Sequence, residues 1–233
     1  LVLAIAIVCW YLLRMPETLH PEYRHKLSMR RIARDIKTTV TNRQTFGYAT
    51  AMGVMFACLM AYIGSAQQIF ETEVYGLGVW FPLAFGMIAA CMSFSSFINA
   101  RLVRKIGMHK ISHVALFFLT ASSLINVLIA LWFDGHPPLF VFGIGLTTIL
   151  FCFSLTMPNF NSLAMEPVGA IAGTASSITG VYSTLIGVIA GGIIGQQFNG
   201  TVIPLLVGYF VLGLIGIVIV GITERGKFCR ASH

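Results

Sequence analysis

Tyr62, Ser65 and Gln68 stand three residues apart inside an otherwise apolar run, Phe46 to Phe70. At 100° per residue they cover about a third of one helix circumference. Neutral hydroxyls, a carboxamide and an aromatic ring suit hydrogen bonding and stacking with a small molecule. They do not suit covalent or acid–base catalysis. Phe85, Phe151 and Tyr182 add rings near the middle of other apolar runs, and Asn126 adds a further amide. Interhelical hydrogen bonding explains Tyr62, Ser65 and Gln68 equally well, and Asn126 reads as structural. No HExxH, GxSxG, Walker-type loop or paired carboxylates occur, so the chain is expected to be no enzyme and to need no cofactor or metal. The five cysteines, Cys9, Cys58, Cys91, Cys152 and Cys229, show no CxxC or metal spacing.

The elements that must carry these residues are read from composition. Of 233 residues, 57% are hydrophobic and 10% charged, against roughly 25% charged in an average soluble domain. Seven apolar runs contain no Asp, Glu, Lys or Arg: 1–13, 46–70, 78–100, 114–133, 139–157, 171–196 and 202–222. Most have about twenty residues or more, enough to cross a ~30 Å hydrocarbon core. Uninterrupted runs of that length mean helices, since barrel strands alternate over about ten residues. The expected class is an all-α, multi-pass membrane protein. The opening run is too short to span and is expected to be the end of a helix, making the chain a fragment.

Charge sets the orientation. Of fifteen Lys and Arg, eight lie between Arg14 and Arg43, four between Arg101 and Lys110, and three at Arg225, Lys227 and Arg230. The alternate gaps carry Glu71, Glu73 and Asp134 and no base. By the positive-inside rule the basic gaps, and with them the C-terminus, are cytoplasmic. Topology accounts for every base, so the +7 net charge indicates no nucleic-acid partner. Cys229 is expected to react with an impermeant thiol reagent from the cytoplasmic side alone. The sequon Asn199-Gly200-Thr201 falls on the outer side, close to the membrane.

Two further segments are legible. In "LSMRRIARDIKTTVTN", Met29, Ile32, Ala33, Ile36 and Val40 recur at helical spacing behind a potential N-cap, Ser28. This predicts an amphipathic helix along the cytoplasmic interface. Further on, Ser183, Gly187, Gly191 and Gly195 recur every four residues, as do Ala172, Ser176 and Gly180. Gly180, Gly187, Gly191 and Gly195 are therefore expected to let two transmembrane backbones approach.

The stretches "LLRMPETL", "NRQTFGYA" and "NARLVRKIGMHK" resemble the C-terminal half of a major facilitator superfamily transporter. "NSLAMEPVGAIAGTASSITGVYSTLIGVIAGGIIGQ", followed by "GTVIPL", resembles the Bcr/CflA (bicyclomycin-resistance type) drug/proton antiporters. The resemblance implies the end of helix six at 1–13, an inter-half cytoplasmic loop at 14–45, a six-helix bundle at 46–222 and a cytoplasmic tail at 223–233. It implies a twelve-helix carrier in a bacterial inner membrane that exports small amphipathic drugs against protons by alternating access. The proton-carrying acid would belong to the other half. An exporter or importer of a sugar, amino acid or other metabolite shares the same features, and a self-assembling six-helix membrane protein shares fewer.

In such carriers helices seven, eight, ten and eleven line the cavity. That implies substrate contact for Tyr62, Ser65, Gln68, Phe85, Phe151 and Tyr182. Tyr62→Ala and Gln68→Ala are then expected to alter substrate range with expression intact. The family's loop pattern carries over only at Lys105 and Gly107. Arg104 stands where an Asp is usual, and Met108 and His109 stand where bases are usual.

Overall fold

Small side chains decide which helix takes the middle of this protein. The computed structural model describes residues 2–14 and 28–226, where all regular structure is helical. It divides into two units, residues 1–34 and 35–233. In the first, α1 runs Val2–Arg14, with Leu3, Ile5, Trp10 and Tyr11 exposed. The helix α2, Met29–Thr41, begins in that unit and continues into the second. The Ser28 carbonyl accepts its first helical hydrogen bond, from Ile32 N at 3.0 Å, at the predicted boundary. Ile36 and Val40 on its apolar stripe are 42% and 44% exposed. The loop at 15–27 and the tail with Cys229 lie outside the described residues.

The second unit holds α3 (Arg43–Ala66), α4 (Phe81–Ile106), α5 (Met108–Trp132), α6 (Leu139–Met165), α7 (Ala172–Gln196) and α8 (Ile203–Thr223). Asn42 caps α3, its side chain accepting from Thr45 N at 3.0 Å. Along α3, Ala49, Ala51, Gly53, Ala57, Cys58, Ala61, Ser65 and Ala66 are all buried. With so little bulk on every side, α3 packs against α6, α7 and α8, most extensively α7. On α7 the buried residues are Ala175, Thr179, Ser183, Gly187 and Gly191. α5 packs on α6 and α8, and α4 mainly on α6.

Among the described residues, five stretches are long and apolar enough to cross a membrane: Arg43–Thr72, Gly78–Ile106, Met108–Trp132, Leu139–Gln196 and Ile203–Thr223. The fourth, of 58 residues, is broken by a 3-10 turn at Glu166–Ile171, where Val168 leaves helical geometry at φ −118° and ψ 21°.

Several helices overrun the apolar runs that announce them. α5 begins at Met108, six residues before its run, and α4 ends at Ile106. The whole turn between them is Gly107, at φ 87°, a conformation that side chains rarely allow. The bases Arg101, Arg104 and Lys105 therefore ride on α4, and His109, Lys110 and His113 on α5. Likewise α6 continues through Pro158 to Met165. Apolar composition ends where the hydrocarbon ends, whereas the backbone hydrogen bonds continue beyond it.

Two polar contacts hold the lightly buried α4 to α6. Ser95 Oγ donates to the Phe151 carbonyl at 2.7 Å, and Asn159 Nδ2 donates to Asn99 Oδ1 at 2.8 Å with both residues buried. Asn159→Leu orphans Asn99 and is expected to cost about 1–2 kcal/mol. Thermal unfolding in detergent checks this, with the Asn99→Leu/Asn159→Leu double variant expected to lose less than the two single losses together.

Among the described residues 43–226, contacts between helix ends fall in two places. At one, Tyr75 Oη donates to the Pro137 carbonyl at 2.8 Å and Val202 N to the Gly135 carbonyl at 3.2 Å. The sequon is folded on itself there, with Asn199 Oδ1 accepting from Thr201 Oγ1 at 2.8 Å. At the other, Arg43 Nη2 donates to the Thr223 carbonyl at 2.7 Å, and Gln44 Nε2 donates to Glu166 Oε2 at 2.9 Å. This second, basic end collects the ends of α3, α6 and α8.

Candidate functional site

The candidate residues divide among three places. Tyr62, on α3, is 3% exposed, and its ring stacks on Phe85 of α4 with centroids 5.3 Å apart and planes 10° apart. Phe81 tilts against Phe85 at 5.8 Å. The Tyr62 hydroxyl is buried without a hydrogen-bond partner, as is that of Tyr209 on α8. One turn on, buried Ser65 spends its hydroxyl on its own helix, donating to the Ala61 carbonyl at 2.8 Å. Gln68 is half-buried in a π-helical turn, Gln67–Thr72, a geometry frequent at functional sites.

Tyr182 lies elsewhere, near the basic end. Its ring stacks on Phe46 at 4.9 Å, and its hydroxyl is 3.2 Å from Thr50 Oγ1. Phe151 lines a separate apolar cleft of about 380 Å³, with Leu102, Lys110 and Phe118 among α4, α5 and α6. The structure thus brings Tyr62, Ser65 and Phe85 together and holds Tyr182 and Phe151 apart from them. Membership of a cavity-lining helix leaves open which way a residue faces around it.

The stripe of small residues meets α3 over part of its length. A Cβ at Gly191 would lie 2.7 Å from the Ala57 carbonyl oxygen and 3.0 Å from Ala61 N. At Gly187 it would meet the Phe56 side chain at 2.5 Å, and at Gly195 only Ser65 Oγ at 3.9 Å. At Gly180 it would meet nothing within 4 Å. The expected approach at Gly180 is therefore corrected: of these four glycines, Gly191 meets the α3 backbone, Gly187 meets a side chain, and Gly180 and Gly195 have room to spare.

Of the loop motif, Lys105 is exposed at the last turn of α4. Gly107 makes the α4–α5 turn, its N–H donating to the Val103 carbonyl at 3.0 Å and its carbonyl accepting from Ile111 N at 3.3 Å.

A polar cluster at the basic end is missing from the sequence candidates. Tyr48 Oη on α3 donates to Glu224 Oε1, just past α8, at 2.6 Å. It is also 3.3 Å from His113 Nε2 and 3.4 Å from His109 Nδ1, both on α5. His109 Nδ1 and Glu224 Oε1 are 3.3 Å apart. The signal was present as two histidines four residues apart. A census of Asp, Glu, Lys and Arg passes over it, and Glu224 adjoins it only through folding.

A helical bundle with charges at its ends and aromatic and amide groups inside fits many membrane proteins. Residues 1–194 match the family model of the Major Facilitator Superfamily. The chain belongs to this superfamily. It is 30% identical over 193 residues to the bicyclomycin resistance protein homolog of Haemophilus influenzae, a match covering 82% of this chain and 48% of that protein. It is 26% identical over 220 residues to the uncharacterized MFS-type transporter YdgK of Bacillus subtilis, covering 93% and 53%. The chain spans about half the length of these curated relatives. No solved structure matches. As a superfamily member it is a multi-pass membrane protein that resembles the Bcr/CflA group.

Proposed function

We propose that this chain forms half of an efflux carrier that exchanges small amphipathic drugs for protons by alternating access. In this reading α3 to α8 are six membrane crossings, and the basic end faces the cytoplasm of a bacterial inner membrane. The observation that carries it is the Tyr62–Phe85 stack with its unpartnered buried hydroxyl. Half-buried Phe85 offers an aromatic surface to apolar rings of varied outline, and the one uncommitted hydroxyl of Tyr62 behind it asks for a single hydrogen bond. Few fixed demands favour a broad substrate range. The name of the Haemophilus relative, a bicyclomycin resistance protein homolog, supports a toxic compound as cargo.

Proton coupling in this reading rests on groups elsewhere in the complete carrier. No Asp, Glu, Lys or Arg lies in the interior turns of α3 or α5 to α8, and the histidine His113 sits in only the second turn of α5. The test is export of several unrelated toxic compounds by the complete protein in energised membrane vesicles. Export of more than one, abolished when a protonophore collapses the pH gradient, is expected. Transport of one metabolite only makes it a metabolite carrier, and export unaffected by the protonophore removes the proton.

A further inference from the structure

We propose that His109, His113 and Glu224, with Tyr48 as the fourth group, form a binding site for one divalent transition-metal ion of the zinc class. His109 and His113 are four residues apart on α5 and so present their rings on one face, one turn above the other. Glu224 reaches the same place from the end of α8. One donor atom from each of the three lies within 4.8 Å of the others.

Distance decides what fits between them. Tetrahedral zinc with N and O ligands at ~2.0–2.2 Å has ligand-to-ligand edges of about 3.3–3.5 Å. His109 Nδ1 to Glu224 Oε1 is 3.3 Å. Tyr48 Oη to His113 Nε2 is 3.3 Å and to His109 Nδ1 is 3.4 Å. The short edge is Tyr48 Oη to Glu224 Oε1, 2.6 Å, as a shared proton requires; it lengthens once an ion replaces that proton.

The donor set agrees with the geometry. Two imidazoles and a carboxylate suit zinc and related first-row ions better than calcium or magnesium, which favour all-oxygen sites. Burial is graded: His113 is 1% exposed, while the His109 and Glu224 side chains keep 19% and 12%. The site is thus anchored inside and open on one side to an entering ion. A bound ion would fasten α3, α5 and α8 together at the basic end.

The experiment titrates the complete, tag-free protein in detergent with Zn²⁺ against a chromophoric chelator, and with Co²⁺ followed by visible absorption. Expected are one Zn²⁺ per chain lost on substitution here and a four-coordinate Co²⁺ spectrum. His109→Ala and Glu224→Gln each lower the affinity of that ion at least 100-fold, and Tyr48→Phe lowers it about tenfold. Lys110→Ala, exposed on the same helix, leaves it unchanged. Should His109→Ala misfold, His109→Asn keeps the volume and loses the same ion. Equal Zn²⁺ uptake by wild type and the His109 variants, or no four-coordinate Co²⁺ spectrum, overturns the site and leaves a hydrogen-bonded tie between helices.

Discussion

Gly191→Leu is expected to unfold the bundle. A side chain at this position starts 2.7 Å from the Ala57 carbonyl oxygen and 3.0 Å from Ala61 N, both backbone atoms of α3. A flexible side chain can swing away, but a helix backbone moves only by moving the helix. The central helix would have to leave its most extensive contact, at a cost of about 3 kcal/mol or more. Gly187→Leu presses on the Phe56 side chain as far in as its Cβ, 2.9 Å away, so it should also destabilise the bundle, though it meets no backbone atom of α3. Gly180→Leu, with open space around it, should stay within about 0.5 kcal/mol of wild type. Melting temperature and the monodisperse fraction in detergent measure the series. Equal stability of the Gly191 and Gly180 variants would remove the close α3–α7 approach as the organising contact.

Tyr62 gives the second large effect and corrects an expectation. Tyr62→Ala would be a clean probe of substrate range if the ring faced an open cavity. At 3% exposure, stacked on Phe85, its removal instead leaves a hole costing about 3–5 kcal/mol. Lowered expression is therefore expected of Tyr62→Ala, whereas half-buried Gln68 tolerates Ala. The informative variant is Tyr62→Phe, which keeps the ring and deletes a hydroxyl without a partner in the protein. Stability should hold or rise slightly, because a buried unpaired polar group is costly to keep. Transport of cargo that accepts a hydrogen bond should fall about three- to tenfold, the worth of one such bond, while purely apolar cargo is unaffected. Resistance profiles against both kinds of compound measure it. A uniform profile would mean that the hydroxyl never meets cargo.

Much of the architecture was legible in the residues themselves, because a bilayer is a severe solvent. Long apolar runs without charge can only be helices there. Confinement of Lys and Arg to alternate gaps separates the two ends, and among the described residues the starts of α3 and α5 and the end of α8 meet at one of them. The four-residue spacing of Gly187 and Gly191 announces a close approach, and Ser28 marks the start of α2 where the helix begins. These signals are local in the chain.

What tertiary structure alone decided is what faces what. Tyr62, Phe85, Phe151 and Tyr182 look alike along the sequence, yet one pair stacks and the other two rings lie apart, because packing sets the rotation of each helix. Gly180 keeps the spacing of its stripe and none of the contact. The cluster of Tyr48, His109, His113 and Glu224 draws on residues up to 176 positions apart, and nothing in any one segment marks them as neighbours. Composition can place a helix in a membrane. Only packed helices can bring a tyrosine, two histidines and a glutamate to one place.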